Sequence, residues 1–135
     1  MPYNLRIKRQ APLDIFTVGS QLGCNVIGRT LACGARDTSG SHTPPTDLRA
    51  GLAMGEITAT GYVTPVVSSA VDGSATTIGL LADDQTVIDE NGTDITGLPC
   101  RLIRKTFDAI VASGRVPNYS AQVRTDLLNL VDFGP

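Results

Sequence analysis

The single histidine of the chain, His42, is the first residue to weigh for chemistry, because Ser39 and Ser41 lie beside it. A serine nucleophile needs a histidine base that is held rigidly within hydrogen-bond reach. All three residues fall in a polar segment with two consecutive prolines, which is typical of an exposed loop. The sequence therefore favours a solvated loop histidine, and a small hydrolase that uses His42 is the alternative.

Metal and nucleotide binding have no better support in the sequence. Cys24, Cys33 and His42 are spaced by nine residues, whereas zinc sites take pairs of ligands from tight knuckles, and the chain has no CxxC or HxxxH pair. The acidic residues between positions 83 and 90 lack the alternating ligands and the glycine of an EF-hand loop. No GxGxxG or GxxxxGK[ST] motif is present. We therefore expect a chain that is not an enzyme and that holds no metal and no cofactor.

Length and composition describe one domain. A chain of 135 residues is long enough for a real core, but three Phe, three Tyr and no Trp predict a thin, aliphatic one. No apolar run approaches the roughly 20 residues that a membrane span requires. Three cysteines make no even disulfide set, and no apolar signal segment precedes them. Synthesis in a reducing cytoplasm is the expectation.

Charge is distributed unevenly along the chain. Residues 1–49 carry six Lys or Arg against three acids, and residues 101–135 carry five against three. Between Arg49 and Arg101 there are seven acidic residues and no basic one. Either the flanks pair with the middle inside one folded chain, or the acidic region of one copy meets a basic region of the next. Basic residues are too few, and too little interleaved with aromatic ones, for nucleic acid to be the expected partner.

Three β-prone runs follow one another in the centre of the chain, at residues 52–59, 62–67 and 75–81. Gly61 and Gly73 lie between them, where glycine accepts the positive φ of a tight turn. This pattern predicts a three-stranded meander.

Weaker signals surround this centre. We expect short strands or an extended loop at residues 14–35, and a strand at 98–103. The apolar spacing of residues 106–113 fits either a strand or a helical face, and their length and the following Gly114 favour a strand. Residues 34–46 are predicted to be an exposed Pro/Ser loop, and residues 83–97 an acidic surface loop. Residues 120–131 are predicted to form a helix with Ser120 as N-cap. Its apolar stripe comprises Val123, Leu127, Leu128, Leu130 and Val131, and Gly134 is expected to mark its end.

The first residues alternate in polarity, with Tyr3, Leu5 and Ile7 on one side and Asn4, Arg6 and Lys8 on the other. Such a segment is either the first strand of the domain or an arm that adds a strand to the sheet edge of another protein. In the second case the partner-binding residues are Tyr3, Leu5, Arg6, Ile7, Lys8 and Arg9. The predicted fold class is mainly β (α+β), a small β-barrel or β-sandwich-like domain at residues 14–135 with an N-terminal arm at 1–13 and one C-terminal helix.

The centre of the chain resembles the head decoration proteins of tailed bacteriophages, also described as capsid-stabilising or cement proteins. The residues that carry the resemblance are Ala50-Gly51, Gly55, Ile57-Thr58, Gly61-Tyr62, Pro65, Asp72-Gly73 and Gly79-Leu80-Leu81. The resemblance covers residues 49–84 well and residues 98–134 loosely, and residues 14–46 do not align.

This resemblance implies a structural virion protein on the outer face of an icosahedral head. It implies a homotrimer, with a dimer as the alternative, and the major capsid protein as partner, to which the N-terminal segment adds a strand. Such a protein is made in the host cytoplasm and bridges neighbouring capsomers. The alternative is a β-rich adaptor or fibre-associated module of another viral or bacterial assembly.

Overall fold

The computed structural model describes residues 15–18, 23–38, 47–95, 97–107 and 109–134. The elements in chain order are β1 (Phe16–Val18), β2 (Cys24–Thr30), β3 (Asp47–Leu48), β4 (Ala53–Glu56), β5 (Val63–Pro65), β6 (Thr77–Leu81), β7 (Gln85–Thr86), β8 (Pro99–Thr106), β9 (Ile110–Ala112), α1 (Ala121–Asp126) and β10 (Phe133–Gly134). The prediction of a mainly β fold with one C-terminal helix is confirmed.

The largest sheet has five strands in the order β2-β8-β6-β4-β5. Leu31, directly after β2, forms a parallel bridge with Val63 of β5, and the N–H of Ala32 donates to the carbonyl of Val63 at 2.8 Å. This bridge joins the two outer strands, so the sheet curls into a small, partly closed barrel. A three-stranded sheet, β1-β9-β10, and a two-stranded sheet, β3-β7, complete the fold.

The barrel wall is buried on both faces, because successive side chains of a strand point to opposite sides of the sheet. One hydrophobic cluster contains Ala53, Leu80 and Ile103 together with residues of β1, β9 and α1. The other contains their neighbours Met54, Leu81 and Leu102 together with Leu31 and Val63. The aliphatic core is thus divided between the inside of the barrel and the layer between the barrel and the three-stranded sheet.

The three central strands form, but the predicted meander is wrong. β6 pairs with β4 and not with β5, so the order is β5-β4-β6. The outer side of β5 cannot accept β6, since Pro65 has no N–H to donate and the carbonyl of Val63 is bonded to Ala32. The loop after β5 therefore carries the chain back to the open side of β4.

The helix is shorter than the predicted 120–131. Ser120 is the N-cap, as predicted, and its hydroxyl accepts the N–H of Val123 at 3.2 Å. The helix ends at Asp126 because the chain turns there towards β10, which pairs in parallel with β9. Leu128 consequently lies 66% exposed instead of in the core, and Gly134 lies in a strand instead of at a helix end.

Two loop predictions also need correction. The described part of the predicted exposed loop at residues 34–46 contains Ala35 and Asp37, which are 3% and 1% exposed. The predicted acidic surface loop at residues 83–97 contains strand β7, and its Val87 is fully buried. In both segments one or two inward side chains hold a mostly polar stretch against the barrel.

Candidate functional site

The predicted partner-binding residues lie outside the described residues, and so do the residues weighed for hydrolytic chemistry. They are Tyr3, Leu5, Arg6, Ile7, Lys8 and Arg9 in the first set, and Ser39, Ser41 and His42 in the second. The first described residue, Ile15, is fixed by its carbonyl, which accepts the N–H of Ala112 at 2.7 Å. The described chain therefore begins against β9, next to strand β1 at one edge of the three-stranded sheet.

No group of three or more His, Cys, Asp or Glu residues in the described part of the chain could hold a metal ion. None of the three cysteines forms a disulfide: Cys33 is exposed, Cys24 is half-buried and Cys100 is buried on β8. Burial raises the pKa of the Cys24 thiol, and it raises the pKa of Cys100 to about 11. The thiol of Cys100 therefore stays protonated at neutral pH, which makes it a poor nucleophile.

Ion pairs connect the basic flanks of the chain to its acidic middle. The pairs are Arg29–Glu56 at 3.9 Å, Arg36–Asp94 at 3.0 Å and Arg101–Asp83 at 2.6 Å. Two further acids of the middle accept backbone hydrogen bonds, since Asp84 bonds the N–H of Ala50 and Asp89 bonds those of Asn91 and Thr93. These contacts support the interpretation in which charge is neutralised inside one folded chain.

A more buried ion pair lies in the N-terminal flank. The carboxylate of Asp37 is fully buried and accepts hydrogen bonds from Nε and Nη2 of Arg49, at 2.6 and 3.1 Å. These hydrogen bonds raise the pKa of Arg49. The pair fastens the segment after β2 to the segment before β4. Sequence reasoning missed it because both residues lie in or beside a stretch with the composition of a loop.

A cleft of about 240 Å³ opens beside this pair, lined by Arg49, Ala50, Asp84, Gly114, Arg115 and Pro117. Two arginines line it, but Asp84 also lines it and Arg49 is paired with Asp37. Because positive and negative side chains are both present, the cleft has no clear net charge that would favour an anion or a cation. The cleft therefore does not define a ligand class.

Four large, exposed apolar side chains lie on the turns and loops at the end of the sheet where β4 and β8 finish; we call this surface the apolar end. Its members are Tyr62, Val71, Phe107 and Leu128, with exposures between 45% and 100%. Leu80 pairs with both Ala53 and Ile103, so the last residues of β4 and β8 lie at the same end of the sheet.

Backbone hydrogen bonds hold the loops of the apolar end together. The N–H of Thr58 donates to the carbonyl of Asp72 at 2.9 Å, which joins the turn before Tyr62 to the loop that carries Val71. The N–H of Thr106 donates to the carbonyl of Leu130 at 2.8 Å, which holds the turn that carries Leu128 beside Phe107. No local pattern predicts this surface, because its members come from four separate segments.

Comparison with protein-family models, with curated proteins and with solved structures found no match for this chain. Within the described residues, no helix has the length and the apolar character to cross a membrane.

Proposed function

We propose that this chain is a structural protein without catalytic activity that binds the outer surface of a bacteriophage capsid and stabilises the head by bridging neighbouring capsomers. The observation that carries the proposal is the apolar end. Small monomeric domains rarely collect large exposed apolar side chains in one region, and such regions mark surfaces that bind other proteins. A partner surface that covers the apolar end would add the burial that a thin aliphatic core lacks.

The residues of the family resemblance support this proposal through the platform that they form. Gly55 and Gly73 lie where the loop after β5 crosses β4, and a Cβ at either position would collide with Ser74 or Thr58. Gly73 also has a φ of 101°, which disfavours any other residue. These glycines keep the loop with Val67 and Val71 close to the barrel. The residues of the resemblance therefore support the fold and do not themselves form a binding site, as expected if the binding surfaces lie around them.

The proposed partners are the major capsid protein and further copies of this chain, in a homotrimer or alternatively a dimer. Residues 1–13 are proposed to act as the arm, with Tyr3, Leu5 and Ile7 supplying its apolar face. The arm adds a strand to a sheet edge of the capsid protein, and the apolar end covers neighbouring shell surface. The site of action is the outer face of the virion, after synthesis in the host cytoplasm.

Co-sedimentation with expanded heads that lack this protein tests the proposal. Deleting residues 1–10 is expected to leave a folded oligomer that no longer sediments with heads, and Leu128→Glu is expected to weaken binding. Leu98→Glu is the matched control, because Leu98 is 39% exposed but precedes β8, at the opposite end of that strand from Phe107 and Leu128. Full occupancy by the truncated protein would refute the arm, and equal loss in both Glu variants would refute the apolar end.

The alternative, a β-rich adaptor or fibre-associated module, differs in copy number. A decoration protein approaches one copy for each shell subunit in purified particles, whereas an adaptor is present in a few copies. Densitometry of a stained gel, calibrated against the shell protein, separates these outcomes.

A further inference from the structure

The outer side of strand β2 carries backbone groups that point away from the rest of the sheet. The N–H of Leu31 donates to the carbonyl of Leu98 at 3.0 Å, on the side of β8. Successive residues of a strand alternate in the direction of their hydrogen-bonding groups, so Arg29 and Ile27 also point towards β8. The N–H and carbonyl groups of Val26 and Gly28 therefore point outwards.

A side-chain contact agrees with this direction. The carbonyl of Gly28 accepts a hydrogen bond from Nη1 of Arg29 at 3.0 Å, so that carbonyl is not engaged with β8. The barrel closes only beyond Thr30, where Leu31 meets Val63. Among the described residues, no other strand pairs with the outer side of β2 between Val26 and Gly28. We call this stretch the open edge.

Strand β2, which carries the open edge, and its neighbour β8 have an excess of positive charge. Strands β2 and β8 together contain four basic residues, Arg29, Arg101, Arg104 and Lys105, and no acidic one. Arg29 and Arg101 have acidic partners in Glu56 and Asp83. For Arg104 and Lys105 the described part of the chain supplies no such partner.

Arg104 is the more informative of these two cations. It lies on β8 at the shift of register opposite Asn25 and Val26, so that only strand β2 separates it from the open edge. Its Nε is buried and makes no hydrogen bond to any described residue, and an unsatisfied buried donor is unfavourable. Lys105 adjoins it, with its Nζ 5.4 Å from the ring centre of the exposed Phe107.

We infer that the open edge docks an extended acidic segment of a partner protein, which adds a strand beside β2 and brings carboxylates to Arg104 and Lys105. Outward backbone groups supply the main-chain hydrogen bonds of such a complex, and flanking side chains supply its selectivity. The arm of this chain is a poor occupant, because residues 1–13 carry Arg6, Lys8 and Arg9 and no acid. The inference depends on neither the apolar end nor capsid binding.

Docking of a strand requires Arg29 to change its contacts. Free sheet edges invite unwanted pairing, and proteins commonly protect them with charged side chains. The guanidinium of Arg29 now covers the carbonyl of Gly28 and must leave it when a strand docks. Its move towards Glu56, which lies 3.9 Å away, would keep its charge balanced.

The test uses the purified full chain and two fluorescent peptides of alternating polarity, one of Glu and Val and the other of Lys and Val. The acidic peptide is expected to bind more tightly, by about tenfold at low salt. Gly28→Pro removes an outward N–H and is expected to weaken binding about tenfold. Gly28→Ala is the matched control, because its Cβ meets nothing within 4 Å, and it should bind as the wild type does. Lys105→Glu should reduce the preference for the acidic peptide.

Equal affinity for the two peptides, or equal binding by Gly28→Pro and Gly28→Ala, would overturn the inference. If the proline variant does not fold, amide hydrogen exchange in the wild-type chain decides the question. The acidic peptide should then slow exchange at Gly28 and Val26, and unchanged exchange at both amides contradicts strand addition. If the chain does not sediment with heads but still binds the acidic peptide, the result contradicts the proposed function and leaves the strand docking intact.

Discussion

The ion pair between Asp37 and Arg49 offers the sharpest test of how the fold is held together. Arg49→Met removes the guanidinium but keeps much of the side-chain length, and it leaves the fully buried carboxylate of Asp37 without that partner. Breaking a buried ion pair from one side commonly costs 3–5 kcal/mol, because a charge remains out of water. Since the Arg49 side chain is 37% exposed, water compensates part of this loss.

We therefore expect Arg49→Met to lower the free energy of unfolding by about 3 kcal/mol. For a domain of this size, such a change lowers the melting temperature by about 10 °C. Urea unfolding followed by circular dichroism at neutral pH, with a parallel thermal scan, measures both quantities. Asp37→Asn should restore part of the stability of Arg49→Met, because it removes the buried charge.

Arg36→Met is the matched control. Arg36 pairs with Asp94 at 3.0 Å, but both side chains are about a third exposed, and pairs in contact with water contribute about 0–1 kcal/mol. Equal destabilisation by Arg36→Met and Arg49→Met would refute the argument from burial. So would a double variant, Asp37→Asn with Arg49→Met, that is less stable than Arg49→Met alone.

Two further predictions concern single buried groups. Asn118→Ala should destabilise the fold by about 1–3 kcal/mol in urea unfolding, because the amide oxygen of Asn118 accepts the N–H of the fully buried Ala53 at 2.7 Å. Asn91→Ala, in an exposed turn, is the control. An equal loss of stability in the two variants would contradict this explanation. Stability should also fall as the pH rises from about 9 to about 11, because burial raises the pKa of Cys100 from 9.0 to about 11. In this range the unfolded state loses the thiol proton that the folded state keeps, and the loss of stability levels off above the folded pKa. Cys100→Ala should flatten that part of the stability curve, and an unchanged slope would show that other groups produce it.

Local signals in the sequence predicted much of the secondary structure. Gly61 and Gly73 do take positive φ at turns, with values of 75° and 101°, and Ser120 does cap the helix. Each of these predictions depends on a few neighbouring residues. Strand content was predictable for the same reason, since β-branched residues and glycine turns act over short distances.

Features that depend on distant residues were not predictable in this way. β6 lies beside β4 because the outer side of β5 is closed by Ala32 and Pro65, which no local pattern of residues 49–84 reveals. The apolar spacing of Leu128 and Leu130 predicted that the helix continues through them, but the pairing of β10 with β9 ends the helix at Asp126. The apolar end and the open edge likewise exist only after the barrel has formed.

A reconstruction of the virus particle at a resolution that traces the backbone tests the proposed function most directly. We predict that the barrel lies on the outer face of the shell at close to one copy for each capsid subunit, with the apolar end against neighbouring capsomers and residues 1–13 paired with a strand of the capsid protein. Particles without this chain on the outer surface, or a barrel that turns the apolar end to solvent, would contradict it.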